Sequence, residues 1–391
     1  MRVVIVTESF PPDVNGVAHC AVQTARHLAL RGHEPLVIAP AHAAAVPGGA
    51  GAGFPGAPGP GRPAESGPRE YPVVRVPSLP LPRYPQVRVA LPSRRLAAAL
   101  AAHRADLVHL ASPFVLGARG MAAAARLGVP AVAVYQTDLG GYARTYLGAG
   151  EGAAWRRIRA VHSAADRTLA PSTAAVRDLG AHGIPRVRLW RRGVDTGRFH
   201  PAHRDDALRR ELAPGGELLV GYVGRLAPEK HVDLLAGAGA LPGVRTVVVG
   251  DGPGEPHLRT VLPGAHFTGR RTGAGLARIF ASLDVFVHTG PYETFCQTVQ
   301  EAMASGVPVI APAAGGPLDL VDHGRTGLLV PPLDPAAVRD AVLSLAHEPA
   351  ARARFGRAGR AAVAARTWEA VGDQLLAHYA DVLAERTAAA A

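Results

Sequence analysis

The chain has 391 residues, 48% of them hydrophobic, more than one core usually serves, so two domains with a cleft between them are expected. A net charge of +11 suits a phosphorylated substrate, an anionic membrane surface or nucleic acid, but dispersed arginines, only 5% aromatic residues and no zinc-finger or RNP-type pattern set nucleic acid aside. Cys20 and Cys296 have no metal-ligand spacing, and no signal peptide or membrane-length apolar run is read, which points to a cytoplasmic, disulfide-free protein.

Met1–Val6 is a continuous apolar run of strand type, followed by a Pro-Pro-Asp-Val-Asn-Gly loop and a helix over Val17–Arg31. Strands at Leu36–Ala39, Val73–Val76, Leu107–Leu110 and Ala131–Tyr135 continue the series, with helices at Arg94–His103 and Gly117–Leu127 between them. Residues 41–70 are dominated by Ala, Gly and Pro and read as a mobile surface loop. After a short strand at Arg188–Trp190, a second series runs through Leu218–Val223, Thr246–Gly250, His266–Thr268, Val285–His288, Val307–Ala311 and Gly327–Val330. Such alternation predicts an α/β chain of two Rossmann-like domains facing a central cleft, each with a parallel sheet. The expected limits are 1–195 and 196–368, with 369–391 a C-terminal helix packing back on the first domain.

Chemistry concentrates in two segments. Gly290-Pro-Tyr-Glu-Thr-Phe-Cys-Gln-Thr-Val-Gln-Glu-Ala-Met-Ala-Ser-Gly306 follows a strand and reads as a helix starting near Thr294 and capped by Gly306. Its unpaired first N–H groups would make a phosphate site flanked by Glu293. Glu301 lies eight residues on, roughly 12 Å along a helix at 1.5 Å per residue, too far to share a proton with Glu293. Alone, the two carboxylates would be a cap and a solvated face. Val220-Gly-Tyr-Val-Gly-Arg-Leu-Ala-Pro-Glu-Lys-His-Val-Asp233 changes the weight: Arg225 and Lys230 follow a strand and a glycine turn and can grip a diphosphate in place of a divalent ion, as no acidic metal cluster is seen. Their alternative is surface ion pairing with Glu229 or Asp233. Gly16, in the first loop, allows close backbone approach to a ligand. Gly250-Asp-Gly-Pro-Gly254 departs from the dinucleotide fingerprint and is taken as a tight turn.

Together these segments resemble the GT-B superfamily of retaining glycosyltransferases, and within it glycosyltransferase family 4. The resemblance implies that Glu293 contacts the donor sugar, Glu301 the ribose, Arg225 and Lys230 the diphosphate together with Gly16, and the N–H groups of Thr294, Phe295 and Cys296 the phosphate or sugar. Arg271, in Gly269-Arg-Arg-Thr-Gly-Ala-Gly275, should lie near the base. The segments 106–117, 133–138 and 189–195 look most like GDP-mannose-dependent α-mannosyltransferases acting on lipid acceptors. Several such relatives carry a histidine where this chain has Gln136, and an amide cannot act as a general base. Gln136 and Glu293 are therefore expected to position the sugar in a front-face substitution that needs no metal or other cofactor. Arg192 stands where many relatives carry Asn.

On the acceptor side, His109 and Asp138 follow strands and are candidates to line the cleft. Tyr84–Ala105, with Arg83, Arg88, Arg94, Arg95 and Arg104, forms either a basic amphipathic patch for the inner membrane face or a helix packed on its own sheet. The leading expectation is transfer of mannose from GDP-mannose to a hydroxyl of a lipid-linked or small polyol acceptor. A UDP-glucose or UDP-N-acetylglucosamine enzyme with a natural-product or sugar-alcohol acceptor is the alternative donor class. A sugar-nucleotide epimerase of the same fold and a non-catalytic nucleotide-sugar-binding protein are the alternatives of other classes, while Pro11-Pro12 in the first turn disfavours an oxidoreductase.

Overall fold

The computed structural model describes residues 1–42, 71–81, 84–112, 114–137 and 151–390. The loop expected at 41–70 therefore falls outside the described residues apart from its first two, as do Arg83 and Asp138. The chain forms two compact units, Met1–Arg191 with Trp368–Ala391, and Arg192–Thr367. The crossings lie at 191/192 and 367/368 rather than at the expected 195/196 and 368/369. The reason is local: Val194 pairs with Thr367 in a parallel bridge, and its N–H donates to Arg366 O at 2.8 Å, which draws 192–195 into the second unit.

The first unit is built on a seven-stranded sheet, all of its pairs parallel. In chain order the strands are β1 (Arg2–Val6), β2 (Glu34–Pro40), β3 (Val73–Val76), an antiparallel hairpin β4 (Ser78–Leu81) and β5 (Tyr84–Ala90), then β6 (Leu107–Leu110), β7 (Ala131–Val134), β8 (Arg167–Ala170) and β9 (Val187–Leu189). The sheet order β3-β2-β1-β6-β7-β8-β9 reverses direction between β1 and β6, and a ligand site in such a sheet lies beyond the strand ends at that reversal. β1 shows why its sequence is continuously apolar. Val3 and Ile5 enter one core with the helix Gly16–Leu30, while Val4 and Val6 enter another with Leu96, Leu100, Leu116 and Met121 on the opposite face.

The second unit repeats the plan with six parallel strands, β10 (Leu218–Val223), β11 (Val244–Val249), β12 (His266–Gly269), β13 (Val285–Val287), β14 (Val309–Pro312) and β15 (Gly327–Val330). Their order, β12-β11-β10-β13-β14-β15, reverses between β10 and β13. Leu219 and Val223 face one core and Val220 and Tyr222 the other.

The C-terminal helix Trp368–Ala390 belongs to the first unit. Val371, Leu375, Tyr379 and Val382 recur at helical spacing and are buried against the core that holds Val3, Ile5 and Trp190. Burial of each such side chain is worth about 1.5–3 kcal/mol. Trp190 Nε1 donates to Val371 O at 2.9 Å, and buried Arg167 donates to Asp381 at 2.8 Å and Glu385 at 2.5 Å.

Two sequence expectations change here. Residues 84–105 are no single helix: 84–90 is a strand, and only Arg95–Ala102 is helical, with Leu96 and Leu100 turned into the core. Pro80 and Pro85 lie in the β4–β5 hairpin, and proline in a short run argues against a strand unless, as here, it sits outside a central ladder. β8 was not anticipated either, because Arg167 and Thr168 are buried strand residues whose polar partners come from elsewhere in the fold.

Candidate active site

The polar groups gather at the β10/β13 reversal. The chain leaving β10 turns at Gly224, passes Arg225 and forms a short 3-10 turn over Pro228–Lys230. Its shape depends on Gly250: a Cβ there would stand 1.9 Å from Gly224 O, and the backbone φ is +144°. Leu226 N–H donates to Asp251 O at 2.9 Å, and Gly254 N–H returns to Leu226 O at 2.8 Å. The Gly250–Gly254 turn is thus the seat on which the Arg225–Lys230 loop rests.

The chain leaving β13 carries His288, Thr289 and Glu293. Lys230 Nζ donates to Glu293 Oε1, Arg225 donates to Glu229, and Thr289 Oγ1 donates to Lys230 O at 2.6 Å, so the two loops are joined. Burial disfavours the Lys230 ammonium, but the Glu293 carboxylate and the Tyr222 hydroxyl outweigh it and raise its pKa. Burial likewise opposes ionisation of Glu293, and the Lys230 ammonium overcomes it, holding the carboxyl below its usual range. His288 Nε2 lies 3.0 Å from Gly290 O, which assigns the proton to that nitrogen, and 3.5 Å from Glu293 Oε1. Burial lowers its pKa to about 4, so the ring is neutral at pH 7.

The helix expected near Thr294 begins later, at Gln297, and ends at Ala304. Thr294, Phe295 and Cys296 form the approach to it, with Phe295 and Cys296 buried and Cys296 in the left-handed region at φ 79°. The approach is held from below: Gly316 N–H donates to Glu293 O at 2.7 Å, and a Cβ on Gly316 would stand 2.2 Å from Phe295 O. Only the last four steps from Glu293 to Glu301 are helical, so the 12 Å helical separation does not apply. At the far end the expected glycine stop is present: Gly306 has φ +74°, and Val307 N–H closes on Ala302 O at 3.0 Å.

Glu301 is partly open to solvent, yet protein atoms around it push its carboxyl up to about 8, against a hydrogen bond from Gln297 and the more distant charge of Arg198. Arg271 is exposed in the turn after β12. Among the described residues, His288, Glu293 and Cys296 place metal-ligand atom types within 4.8 Å of one another. Lys230 already bonds Glu293 there.

In the first unit the β1/β6 reversal carries different groups. Asn15 caps the helix Gly16–Leu30 by accepting from Ala18 N at 2.9 Å, and a Cβ at exposed Gly16 would meet nothing within 4 Å. Gln136 follows β7 and donates to Ala111 O at the end of β6. Glu8, which sequence reasoning missed, is half-buried after β1; its Oε1 accepts N–H groups from Leu116 and, at 3.1 Å, Gly117, and its own N–H donates to Ser112 Oγ at 2.9 Å. Burial pushes its carboxyl up to about 7 against those backbone donors. His109 is a core residue instead of an acceptor-side one: it is 0% exposed, and its Nδ1 shares a hydrogen bond with Tyr379 Oη at 2.7 Å. Every second residue of a doubly covered strand points into one core or the other, and a strand-borne polar residue gives no local sign of which part of the strand is open.

Glu8, His288, Gly316 and Gln297 are the support residues that sequence reasoning did not reach, whereas Glu229 takes Arg225 as the ion-pair alternative anticipated. Gly315-Gly316 after a strand was the one visible signal, since adjacent glycines there mark close backbone approach.

Two parallel sheets of this order, the second with paired charges at its reversal, define a nucleotide-binding α/β protein of the doubly wound class. Comparisons with known proteins narrow the class. Residues 14–198 match the family described as Glycosyltransferase Family 4, and residues 203–362 match Glycosyl transferases group 1. A GDP-mannose-dependent alpha-mannosyltransferase of Mycobacterium tuberculosis is 50% identical, with 100% of this chain and 99% of that one covered. A protein of the same name from Corynebacterium glutamicum is 42% identical over 98% of this chain and 90% of its own length. Among solved structures, Anabaena Alr3699/HepE in complex with UDP superposes with a TM-score of 0.75 at 20% identity, covering 97% of this chain and 100% of that one. Sucrose-phosphate synthase from Thermosynechococcus elongatus gives 0.76 at 22% identity, covering 98% and 99%. The chain belongs to the family 4 glycosyltransferases of GT-B fold, and it is an enzyme that takes a nucleotide-sugar donor.

Proposed function

We propose that the protein transfers mannose from GDP-mannose to a hydroxyl of a lipid-linked or small polyol acceptor, with retention of configuration and without a metal ion. The observation that carries the donor is the 50% identity, end to end, to proteins named for GDP-mannose and α-mannosyl transfer. The site supports the chemistry. Lys230 and Arg225 stand after β10 with the charge to neutralise a leaving diphosphate, and Glu293 meets Lys230 from the loop after β13. In this reading the donor phosphates displace Lys230 from part of its contact with Glu293, which frees that carboxylate to accept sugar hydroxyls. Glu301 accepts the ribose hydroxyls, and the backbone at Gly16 approaches the phosphates. Gln136 positions the sugar, and the leaving phosphate itself takes the acceptor proton.

The donor assignment is tested by thermal unfolding with GDP-mannose, GDP-glucose, UDP-glucose and UDP-N-acetylglucosamine. A ligand at 100 times its Kd adds about 2.7 kcal/mol, a shift of a few degrees. Stabilisation by a UDP-sugar and none by GDP-mannose overturns the donor. Transfer measured with and without EDTA tests metal independence, and loss of activity that added divalent metal restores overturns it. For the sugar contact, Glu293→Gln is the variant to use, because its amide oxygen still accepts from the largely buried Lys230 ammonium, which Glu293→Ala leaves with no partner in place of the carboxylate. Glu293→Gln should remain folded and lose at least about a hundredfold in kcat, and retained activity removes Glu293 from the chemistry.

The peripheral membrane contact in this reading rests on exposed Leu79 and Leu91 in the same stretch of chain as exposed Arg94, Arg95 and Arg104. No helix among the described residues is long and apolar enough to cross a membrane. Co-sedimentation with phosphatidylglycerol vesicles but not phosphatidylcholine vesicles is expected, and equal binding to both removes the electrostatic part.

A further inference from the structure

We infer that Glu8 is a positioning residue for Gln136: it locks the chain just past β1 to the chain just past β6, and the Gln136 amide is held against that second segment. The inference rests on the reading of Gln136 as the group that positions the transferred sugar.

Three adjacent strands of the first sheet end on these residues. Glu8 stands two residues past Val6 of β1, Ser112 two past Leu110 of β6, and Gln136 two past Val134 of β7. Val6 and Leu110 are register partners, so Glu8 and Ser112 leave the sheet side by side. The helix Leu116–Leu127 that follows β6 lacks a local cap, because Val115 stands at its N-cap and a valine side chain accepts no hydrogen bond. Glu8 fills that role from 108 residues away in the chain. Its Oε1 accepts the first two N–H groups of the helix, from Leu116 and, at 3.1 Å, Gly117, where a carboxylate also suits the helix dipole. Ser112 answers it: Ser112 Oγ accepts the Glu8 N–H at 2.9 Å. The two ties run in opposite directions, as in a capping box, but they join two distant loops.

The segment held in this way carries the partner of Gln136. Ala111, just before Ser112, donates its N–H to Val6 O at 2.9 Å and accepts from Gln136 Nε2 on its carbonyl. Gln136 therefore rests on a peptide that β1 holds from one side and Glu8 from the other. Ser9, next to Glu8, extends the tie to the second helix start at the reversal: Asn15 Nδ2 donates to Ser9 Oγ at 2.7 Å, while Asn15 Oδ1 caps the helix Gly16–Leu30. A cap alone needs only the bonds to Leu116 and Gly117. The return bond from Ser112, and the step from Ala111 to Gln136, carry the position of Glu8 to the sugar-positioning amide.

The test is a double-mutant cycle of Glu8→Ala, Gln136→Ala and the pair, with Glu8→Gln as the conservative variant, since an amide oxygen still accepts both N–H groups. Turnover is read as GDP release from GDP-mannose with water as acceptor, or UDP release from UDP-glucose if the wild type turns over only that donor. Deuterium exchange over residues 114–119 is read in the same variants. Glu8→Ala should lower kcat by about ten- to a hundredfold, keep the donor KM within about threefold, and speed exchange at Leu116 and Gly117. Glu8→Gln should return kcat to within about threefold of the wild type. The pair should be no slower than Gln136→Ala alone, because a residue acting through Gln136 then has nothing to act on. Ser112→Ala, which keeps the cap and loses the return bond, serves if Glu8→Ala does not fold; it should lower kcat by about threefold or more, and unchanged kcat overturns the inference. Losses that multiply in the pair make Glu8 independent of Gln136, a lower Tm with unchanged kcat makes it a cap only, and a Glu8→Gln enzyme as slow as Glu8→Ala makes it a charge contact; each overturns the inference. Unchanged exchange over 114–119 in Glu8→Ala overturns it whatever the turnover. A Gln136→Ala enzyme of wild-type kcat overturns the reading of Gln136 and this inference with it.

Discussion

Protein atoms packed around Glu301 push its carboxyl up to about 8, against Gln297 and the charge of Arg198, which favour the ionised form. Two ribose hydroxyls donating to one carboxyl group favour its ionised form, in which both oxygens accept. Donor binding should then release a proton below that pH, and the affinity for GDP-mannose should fall by about tenfold for each pH unit below 8. The sign follows from a raised acid: the free site holds the proton that the complex must give up. Titration calorimetry in two buffers of different ionisation enthalpy measures the released proton directly. Glu301→Gln should bind weakly and without this pH dependence, while a wild-type affinity that is flat from pH 6 to 8 contradicts the argument. His288 is shifted the other way. Burial lowers its pKa to about 4, so between there and about 6.5 the unfolded chain takes a proton that the folded site refuses, and stability drops as pH falls through that window.

At the level of single elements, the loops are specified less by their own residues than by what presses on them. Gly250 and Gly16 are both glycines near a strand end, and sequence alone weights them alike. A methyl on Gly250 meets Gly224 O at 1.9 Å, whereas one on Gly16 meets nothing within 4 Å. Gly250→Ala should therefore cost about 2–4 kcal/mol and damage the Arg225–Lys230 loop with it, visible as a lower Tm and lost donor binding together. Gly16→Ala should leave Tm unchanged or slightly higher, since alanine suits a helix start better than glycine, yet lose transfer if the donor phosphates come to that backbone. A Gly16→Ala enzyme with unchanged KM for the donor removes Gly16 from the site. The late start of the helix at Gln297 has the same origin. Thr294 is a good cap in isolation, but Gly316 pins Glu293 O and Phe295 is buried, so the backbone cannot turn helical until Cys296 has passed through the left-handed region.

Across the whole molecule, the C-terminal helix Trp368–Ala390 completes a unit whose strands all lie between Arg2 and Leu189. Tyr379 reaches His109, and Arg167 reaches Asp381 and Glu385, so polar residues buried in β6 and β8 find partners only once this helix is in place. Tyr379→Phe should lower stability by about 1–2 kcal/mol through loss of a buried hydrogen bond, measured by urea unfolding, with donor KM unchanged. A change in acceptor KM of more than about threefold would instead return His109 to the acceptor side.

The sequence by itself determined the two α/β units and most strand positions, and it singled out Arg225, Lys230, Glu293 and Glu301, of which Lys230 and Glu293 are joined in the fold. Doubly buried parallel strands must be apolar along their whole length, and charged residues at strand ends stand out against that background. It could not show that Lys230 bonds Glu293 across 63 residues, that Gly250 and Gly316 shape loops far from them in the chain, or that His109 is buried under the last helix. Those features are set by contacts between distant segments, and a side chain's burial, ionisation and partner are properties of the neighbours that the fold brings to it. Tertiary structure alone decided which polar residues face solvent and which are sealed in a core, because both kinds occupy the same positions in the strand and loop pattern.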